Sequence, residues 1–307
     1  MRPGHVLALA VALALCACGP ARPEPRPSMR LQDQHPEKDD DPATPAPTLD
    51  LPGVDVSSLT ARERKVLAKV VRELTSPCGD PASLETCVNE RRACKRCLPA
   101  AQLAVKLVAH GDDSKTTRAW LSNRFDDAAV KSIDLAYSPT TGPTQAPLVV
   151  VEFADFECPH CAAAAPLVHA AIDADGIKGK ALLAFKNFPL NHHVHAEPAA
   201  RAALAAQLQG KFWDMHDQIF AHQDSLEVAD LEAFAKTIGL DVKKWQSDMT
   251  SPLIVGRVVA DHAMGEKVGV DATPTVFVNG RKFVPALKDF AGELKSWMLL
   301  DLQLMGP

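Results

Sequence analysis

The sequence is poor in aromatic side chains: they make up 5% of its 307 residues, tyrosine occurs once, and none precedes Trp120. Aromatic rings supply much of a core's buried area, so the first third of the chain cannot hold a large core. Of the 16 aromatic residues, 13 fall between Phe153 and Trp297, which places the main folded body in the C-terminal half. A basic excess is also missing. Lys plus Arg number 33 against 38 Asp plus Glu, a formal net charge of −5. A surface without surplus cations is a poor match for a phosphate backbone, so nucleic acid is not an expected partner. No apolar run reaches the roughly 20 residues that span a bilayer. The one short run, Val6 to Leu15, lies behind Arg2 at the N-terminus and reads as a leader. What is there is 47% apolar and 23% charged, a globular composition, and a length of about two domains at roughly 150 residues each.

The leader ends on Cys16-Ala17-Cys18-Gly19. Leu15-Cys16-Ala17-Cys18 resembles the bacterial lipoprotein box, with Leu three before and a small residue one before the lipidated cysteine. The resemblance implies a signal peptide over 1–17, a lipid on Cys18 and a membrane anchor on the periplasmic side of a bacterial membrane. Gly19 resembles an outer-membrane sorting signal. An ordinary cleaved signal with incidental cysteines is the competing reading. Residues 20–52 contain 9 of the 24 prolines and the run Asp39-Asp40-Asp41. Such a stretch buries too little apolar surface to fold, so 18–56 is expected to be a disordered, Pro-rich tether.

Apart from Cys16 and Cys18, six of the eight cysteines remain. An even number in an exported chain suggests pairing, because the compartment is oxidising. Cys78, Cys87, Cys94 and Cys97 belong to a stretch, 57–136, that reads as a small all-α domain. Thr60-Ala61-Arg62-Glu63 is a capping box, and Val66, Leu67, Val70, Val71 and Leu74 follow at helical period, predicting a helix over 60–75. Pro77, Gly79 and Pro81 break it. Further helices are expected from Ser83, from after Pro99 to Gly111, and after Ser114 with Trp120, Leu121 and Phe125 inward. On one continuous helix Cys87 and Cys94 would stand about 10 Å apart, too far for a disulfide. Two pairings stay open: Cys78–Cys87 with Cys94–Cys97, or a crossed pattern tying the Cys78 loop to the second helix. The four are read as permanent bonds in a docking module. A Cys94–Cys97 redox pair exchanging with Cys158–Cys161, and a zinc site of four cysteines, are the alternatives. Pro77-Cys78 and the helix order also resemble the thiol subunit of cytochrome c maturation systems.

Leu148-Val149-Val150-Val151-Glu152-Phe153 is a buried-strand pattern. It runs into Asp155-Phe156-Glu157-Cys158-Pro159-His160-Cys161 and then an Ala-rich helical stretch. A C-x-x-C between strand and helix puts its first cysteine at a helix N-terminus, where free amides and the helix dipole favour the reactive thiolate. His160 adds a donor beside it. Cys158-Pro159-His160-Cys161 resembles the active site of thioredoxin-fold disulfide oxidoreductases of the DsbA type. Glu152 six residues earlier, Pro166 five after Cys161, and Thr273-Pro274-Thr275 leading into a hairpin at Asn279-Gly280 match that family's further markers. Phe188-Pro189-Leu190, His193, Ala196 and Gly210 to His216 resemble its helical-insertion branch. Ala272, where many relatives have Gly, and Phe283-Val284-Pro285 depart from the pattern on the expected rim of the site.

The resemblance implies an α/β class chain: a thioredoxin fold over 146–303 with a helical insertion at about 191–264. It makes Cys158 the exposed nucleophile and Cys161 the buried resolving partner. Glu152 is the desolvated acid that takes the Cys161 proton, and Pro274 a cis-proline that lets Thr273 pair with an extended substrate. His192, His193 and His195 read as loop residues rather than a metal cluster, and Trp213 and Phe220 as core. Asp230 reads as a helix cap. No metal and no cofactor is expected. The reading is a monomeric, membrane-anchored oxidant of thiols in exported proteins, recharged by a membrane or soluble redox partner. A reductase or isomerase in the same compartment, and a peptide-binding scaffold without turnover, are the alternatives.

Overall fold

The computed structural model describes residues 47–285 and 289–306; the leader, Cys16, Cys18 and most of the tether lie outside the described residues. The last residues of the expected tether are packed. Leu51 is buried, and Leu49, Val54 and Val56 pack on the first helices, so this apolar stretch anchors the end of the expected tether. Helix α1 (Ala61–Glu73) starts on the capping box: Thr60 Oγ1 accepts from Glu63 N at 3.3 Å and Glu63 Oε2 accepts from Thr60 N at 2.7 Å. Ser83 caps α2 (Leu84–Asn89) by accepting from Thr86 N at 3.1 Å. Helix α3 (Cys97–His110) begins before Pro99 rather than after it. A proline is tolerated in a first turn, where the amide has no intrahelical partner anyway. Gly111, at φ 103°, ends it, and Asp113 caps α4 (Ser114–Phe125). Leu121 and Phe125 are buried in this bundle and Trp120 is half-buried.

The disulfides are Cys78–Cys94 and Cys87–Cys97, the crossed pattern. One premise used against a Cys87–Cys94 bond does not hold. Cys87 and Cys94 do not share a helix, because α2 stops at Asn89 and Arg91 turns the chain with φ 49°.

A sheet in the order β1-β3-β2-β4-β5 follows. After the short β1 (Thr140–Thr141), β2 (Leu148–Ala154) leads into α5 (Pro159–Ile172) and β3 (Ala181–Asn187), which is parallel to β2. β-branched residues buried on both faces make β2 a central strand. Five helices stand between β3 and β4: α6 (Ala196–Gln207), α7 (Phe212–Ala221), α8 (Val228–Thr237), α9 (Val242–Met249) and α10 (Pro252–Val268). Trp213 and Phe220 pack, partly buried, on the core of this insertion. Asp230 is not the cap of α8. Glu227 is, and Asp230 answers it from the third helical position of a capping box.

The chain then closes with β4 (Thr275–Val278), β5 (Arg281–Phe283) and α11 (Phe290–Met305). β4 runs antiparallel to both β2 and β5. The β4–β5 turn needs its glycine. Asn279 and Gly280 have φ 49° and 76°, and a Cβ on Gly280 would stand 2.3 Å from the Lys131 carbonyl. One sheet face is covered by α5 and α11 through Val168, Ala171, Leu294 and Met298, the other by Phe188, Val268 and Val270.

The N-terminal helices and the sheet are joined by buried contacts. Arg124 of α4 pairs with Asp301 of α11 at 2.6 Å, donates to the Trp297 carbonyl at 3.1 Å and lies 4.1 Å over the Trp297 ring. Leu300 and Leu304 of the same α11 pack into the N-terminal core. Burial lowers the Arg124 pKa and raises that of Asp301, so desolvation outweighs the attraction between the two charges.

Candidate active site

The C-x-x-C sits where the central strand hands the chain to α5. Cys158 is the N-cap of that helix, with Pro159 as its first residue. Proline is suited to that place, since its missing N–H would have no partner there. Cys161 N donates to Cys158 O at 3.0 Å, which folds the motif into a turn. Pro159 and His160 are exposed, while Pro166 lies inside the helix.

Both cysteines are thiols, and both are buried. The expectation of an exposed Cys158 is corrected: only 4% of the residue is open. Two residues from later in the chain bond to this turn. The thiol donates to the Thr273 carbonyl at 3.6 Å. Gln223, just beyond α7, donates to the carbonyls of Phe156 at 2.8 Å and Cys158 at 2.9 Å, which holds the insertion over the active-site turn. The Thr273–Pro274 bond is cis, as the resemblance implies, and Thr273 is buried.

Cys161 Sγ accepts from Asp155 N at 3.4 Å. Burial pushes its thiol up, and the negative charges of Cys158 and Glu152 would push it further. Glu152 lies inside β2, fully buried, and neither carboxyl oxygen has a hydrogen-bond partner. Desolvation alone raises it to about 8. The site therefore stacks three groups inward from the surface: Cys158 at the helix end, Cys161 one turn in, and a carboxylic acid beneath them whose charge acts on Cys161.

A second carboxylate went unrecognised in the sequence. Asp155, buried, accepts from Glu157 N at 2.7 Å and Leu190 N at 2.8 Å, and pairs with His193 Nδ1 at 2.8 Å. Glu157 in turn accepts from His195 N at 2.6 Å. The histidine loop is thus tied to the segment before the C-x-x-C by two acids. The Asp155–Glu157 spacing of a turn was a readable signal; Gln223 left none. Behind the loop, Asp261 of α10 receives Lys186 Nζ at 2.9 Å and Asn187 N at 3.1 Å, clamping the insertion to the end of β3. The Phe283 departure does not reach the rim. Phe283 is buried against Phe290 and Trp297, and Val284 lines a cleft with Trp120 and Asn123 of α4.

A family model described as Thioredoxin matches residues 135–295, just over half of the sequence. The chain belongs to the thioredoxin family. Within that fold the Cys158-Pro159-His160-Cys161 motif, at the junction of β2 and α5, resembles that of DsbA-type thiol–disulfide oxidoreductases. The crystal structure of oxidised BdbD from Bacillus subtilis is similar with a TM-score of 0.51 and 25% identity, covering 58% of this chain and 98% of that one. A thioredoxin-like oxidoreductase from Silicibacter pomeroyi follows at a TM-score of 0.49 and 26% identity, over 56% of this chain and 94% of its own. Among curated proteins, Na(+)/H(+) antiporter NhaA 3 of Salinispora tropica is 41% identical over 143 residues, 46% of this chain and 21% of that protein. The chain spans about a fifth to a quarter of the length of the curated relatives it matches, and the match lies in the thioredoxin region. Among the described residues, no helix is long and apolar enough to cross a membrane.

Proposed function

We propose that this thioredoxin-family chain oxidises thiols of exported proteins on the periplasmic side of a bacterial membrane, tethered there by a lipid on Cys18. The observation that carries the direction of transfer is the placement of Cys158 as N-cap of α5, with Pro159 and His160 between the cysteines. A helix N-terminus stabilises negative charge, and a dithiol whose reduced form is stabilised makes a strongly oxidising disulfide.

In the oxidised protein, a client thiolate attacks Cys158 Sγ. The Cys158–Cys161 bond breaks, a client–Cys158 mixed disulfide forms, and Cys161 leaves as a thiolate that takes a proton. A second client thiolate attacks the client sulfur, releasing the client disulfide and Cys158. The client has lost two electrons and the pair has gained them; a redox partner reverses the change. Glu152 exchanges the Cys161 proton, since that thiol is too desolvated to lose it to water directly. The Thr273 backbone, facing Cys158, pairs with an extended client segment.

The deciding experiment is the equilibrium of the Cys158–Cys161 pair with glutathione. A potential of roughly −120 mV supports an oxidant; roughly −270 mV would make the protein a reductant of its clients. A wild-type chain that oxidises client thiols no faster than Cys158→Ser would take the activity away from this pair, and no oxidation by either would leave a peptide-holding scaffold.

A further inference from the structure

The second cysteine cluster is built in two layers. Cys78 is exposed and Cys94 half-buried, whereas Cys87 and Cys97 are 1% and 3% exposed. An accessible disulfide thus lies on an inaccessible one. The layers touch, because the sulfurs of Cys87, Cys94 and Cys97 all lie within 4.8 Å of one another. Cys97 N donates to Cys94 O at 3.2 Å, the same four-residue turn that Cys161 N makes to Cys158 O at 3.0 Å. Both turns open a 14-residue helix. A turn of that kind brings the two Cα atoms within about 7 Å, a separation that a disulfide bridges at its shorter end. Cys94 and Cys97 are therefore held in a redox-motif turn while each is bonded elsewhere. Finally, the hydroxyl of the buried Ser76 points at the inner bond, 3.7 Å from Cys87 Sγ and 3.6 Å from Cys97 Sγ.

We propose that the two disulfides form a second redox centre, which takes two electrons from a dithiol by internal exchange and ends as a Cys94–Cys97 disulfide with Cys78 and Cys87 as thiols. A dithiol's first thiolate attacks Sγ of Cys78, the exposed residue of the four. The Cys78–Cys94 bond breaks, a mixed disulfide forms on Cys78, and Cys94 leaves as a thiolate. Cys94 then attacks Cys97 Sγ within its own turn. The Cys87–Cys97 bond breaks, Cys94–Cys97 forms, and Cys87 departs as a thiolate that the Ser76 hydroxyl already faces, then takes a proton. The dithiol's second thiolate attacks its own sulfur in the mixed disulfide, leaving as a cyclic or intramolecular disulfide and freeing Cys78. One dithiol has been oxidised, and one of two protein disulfides has been reduced. The buried bond is reached although no external thiol can touch it. This reading does not depend on the Cys158–Cys161 pair.

The test uses the oxidised full chain carrying Cys158→Ser and Cys161→Ser, so that electrons enter only this cluster. One equivalent of dithiothreitol is added, thiols are blocked by alkylation under acid quench, and tryptic peptides are mapped. Lys95 and Arg96 separate the two cysteines on digestion. The expected two-electron species has Glu73–Arg91 alkylated at both Cys78 and Cys87, with Ala93–Lys95 joined to Cys97–Lys106 through a disulfide. Alkylation at Cys78 and Cys94 with the Cys87–Cys97 link intact overturns the proposal. So does a Cys87–Cys94 link, or loss of both bonds with no two-electron species. Ser76→Ala should slow formation of the Cys94–Cys97 product by about fivefold, the worth of one hydrogen bond; an unchanged rate removes Ser76 from the scheme.

Discussion

Glu152→Gln isolates the buried acid beneath the C-x-x-C. In the unfolded chain a glutamate titrates near 4.5; in the folded protein burial raises this one to about 8. Between those values the folded state holds a proton that the unfolded state has lost. The native state is therefore destabilised progressively as pH rises, by about 1.4 kcal/mol per pH unit. The cost is absent below about pH 4.5, reaches about 3 kcal/mol at pH 7 and levels off at about 5 kcal/mol above pH 8. No partner offsets it, since both carboxyl oxygens are unbonded. Glutamine cannot ionise, so the variant should lose this slope. Its absolute gain at pH 7 will be smaller, because the buried amide is itself unsatisfied. The assay is urea unfolding of the reduced protein at unit steps from pH 4 to 9. The stability difference, variant minus wild type, should climb between pH 5 and 8 and be flat outside that range. Parallel curves across the range would refute a displaced Glu152. In single-turnover resolution of a mixed disulfide, the wild-type inflection near pH 8 should vanish in the variant.

Arg124→Ala leaves Asp301 buried without its partner and should cost about 3–5 kcal/mol in chemical denaturation. Replacing both residues with apolar side chains of similar volume should recover most of that loss, because burial already opposes both charges. Cys87→Ala with Cys97→Ala opens a loop of sequence separation 10 and should lower stability by about 3 kcal/mol. Gln223→Ala removes two hydrogen bonds to the active-site turn and should cost about 1–2 kcal/mol. It should also speed alkylation of Cys158 in the native protein, whereas an unchanged rate would show that Gln223 does not cover the thiol.

The sequence alone determined the parts whose information is local. Thr60 and Glu63 specify a helix start by reciprocal bonds three residues apart. The apolar run 148–153 specifies a buried strand, and the four residues Cys158 to Cys161 specify a redox turn at a helix end. Asn279-Gly280 specifies a tight hairpin because few other pairs tolerate two left-handed residues. Glu152 was legible through the family resemblance, six residues before Cys158, and its place in an apolar strand agreed with the desolvation that the resemblance implies.

What the tertiary structure decided depends on residues far apart in the chain. The crossed disulfide pairing rests on where α2 ends and Arg91 turns, not on cysteine spacing. The bonds that Cys158 makes outside its own turn go to Thr273, 115 residues away, and Gln223, 65 away. Phe283 belongs to the core rather than the rim because α11 returns across β5 to meet it. The Arg124–Asp301 pair spans 177 residues, and either member read alone is an ordinary helical charge. Short-range order follows from dihedral preference and local hydrogen bonds, which a sequence displays. Burial and partner choice follow from which surfaces meet once the elements have formed, and a single sequence does not display that.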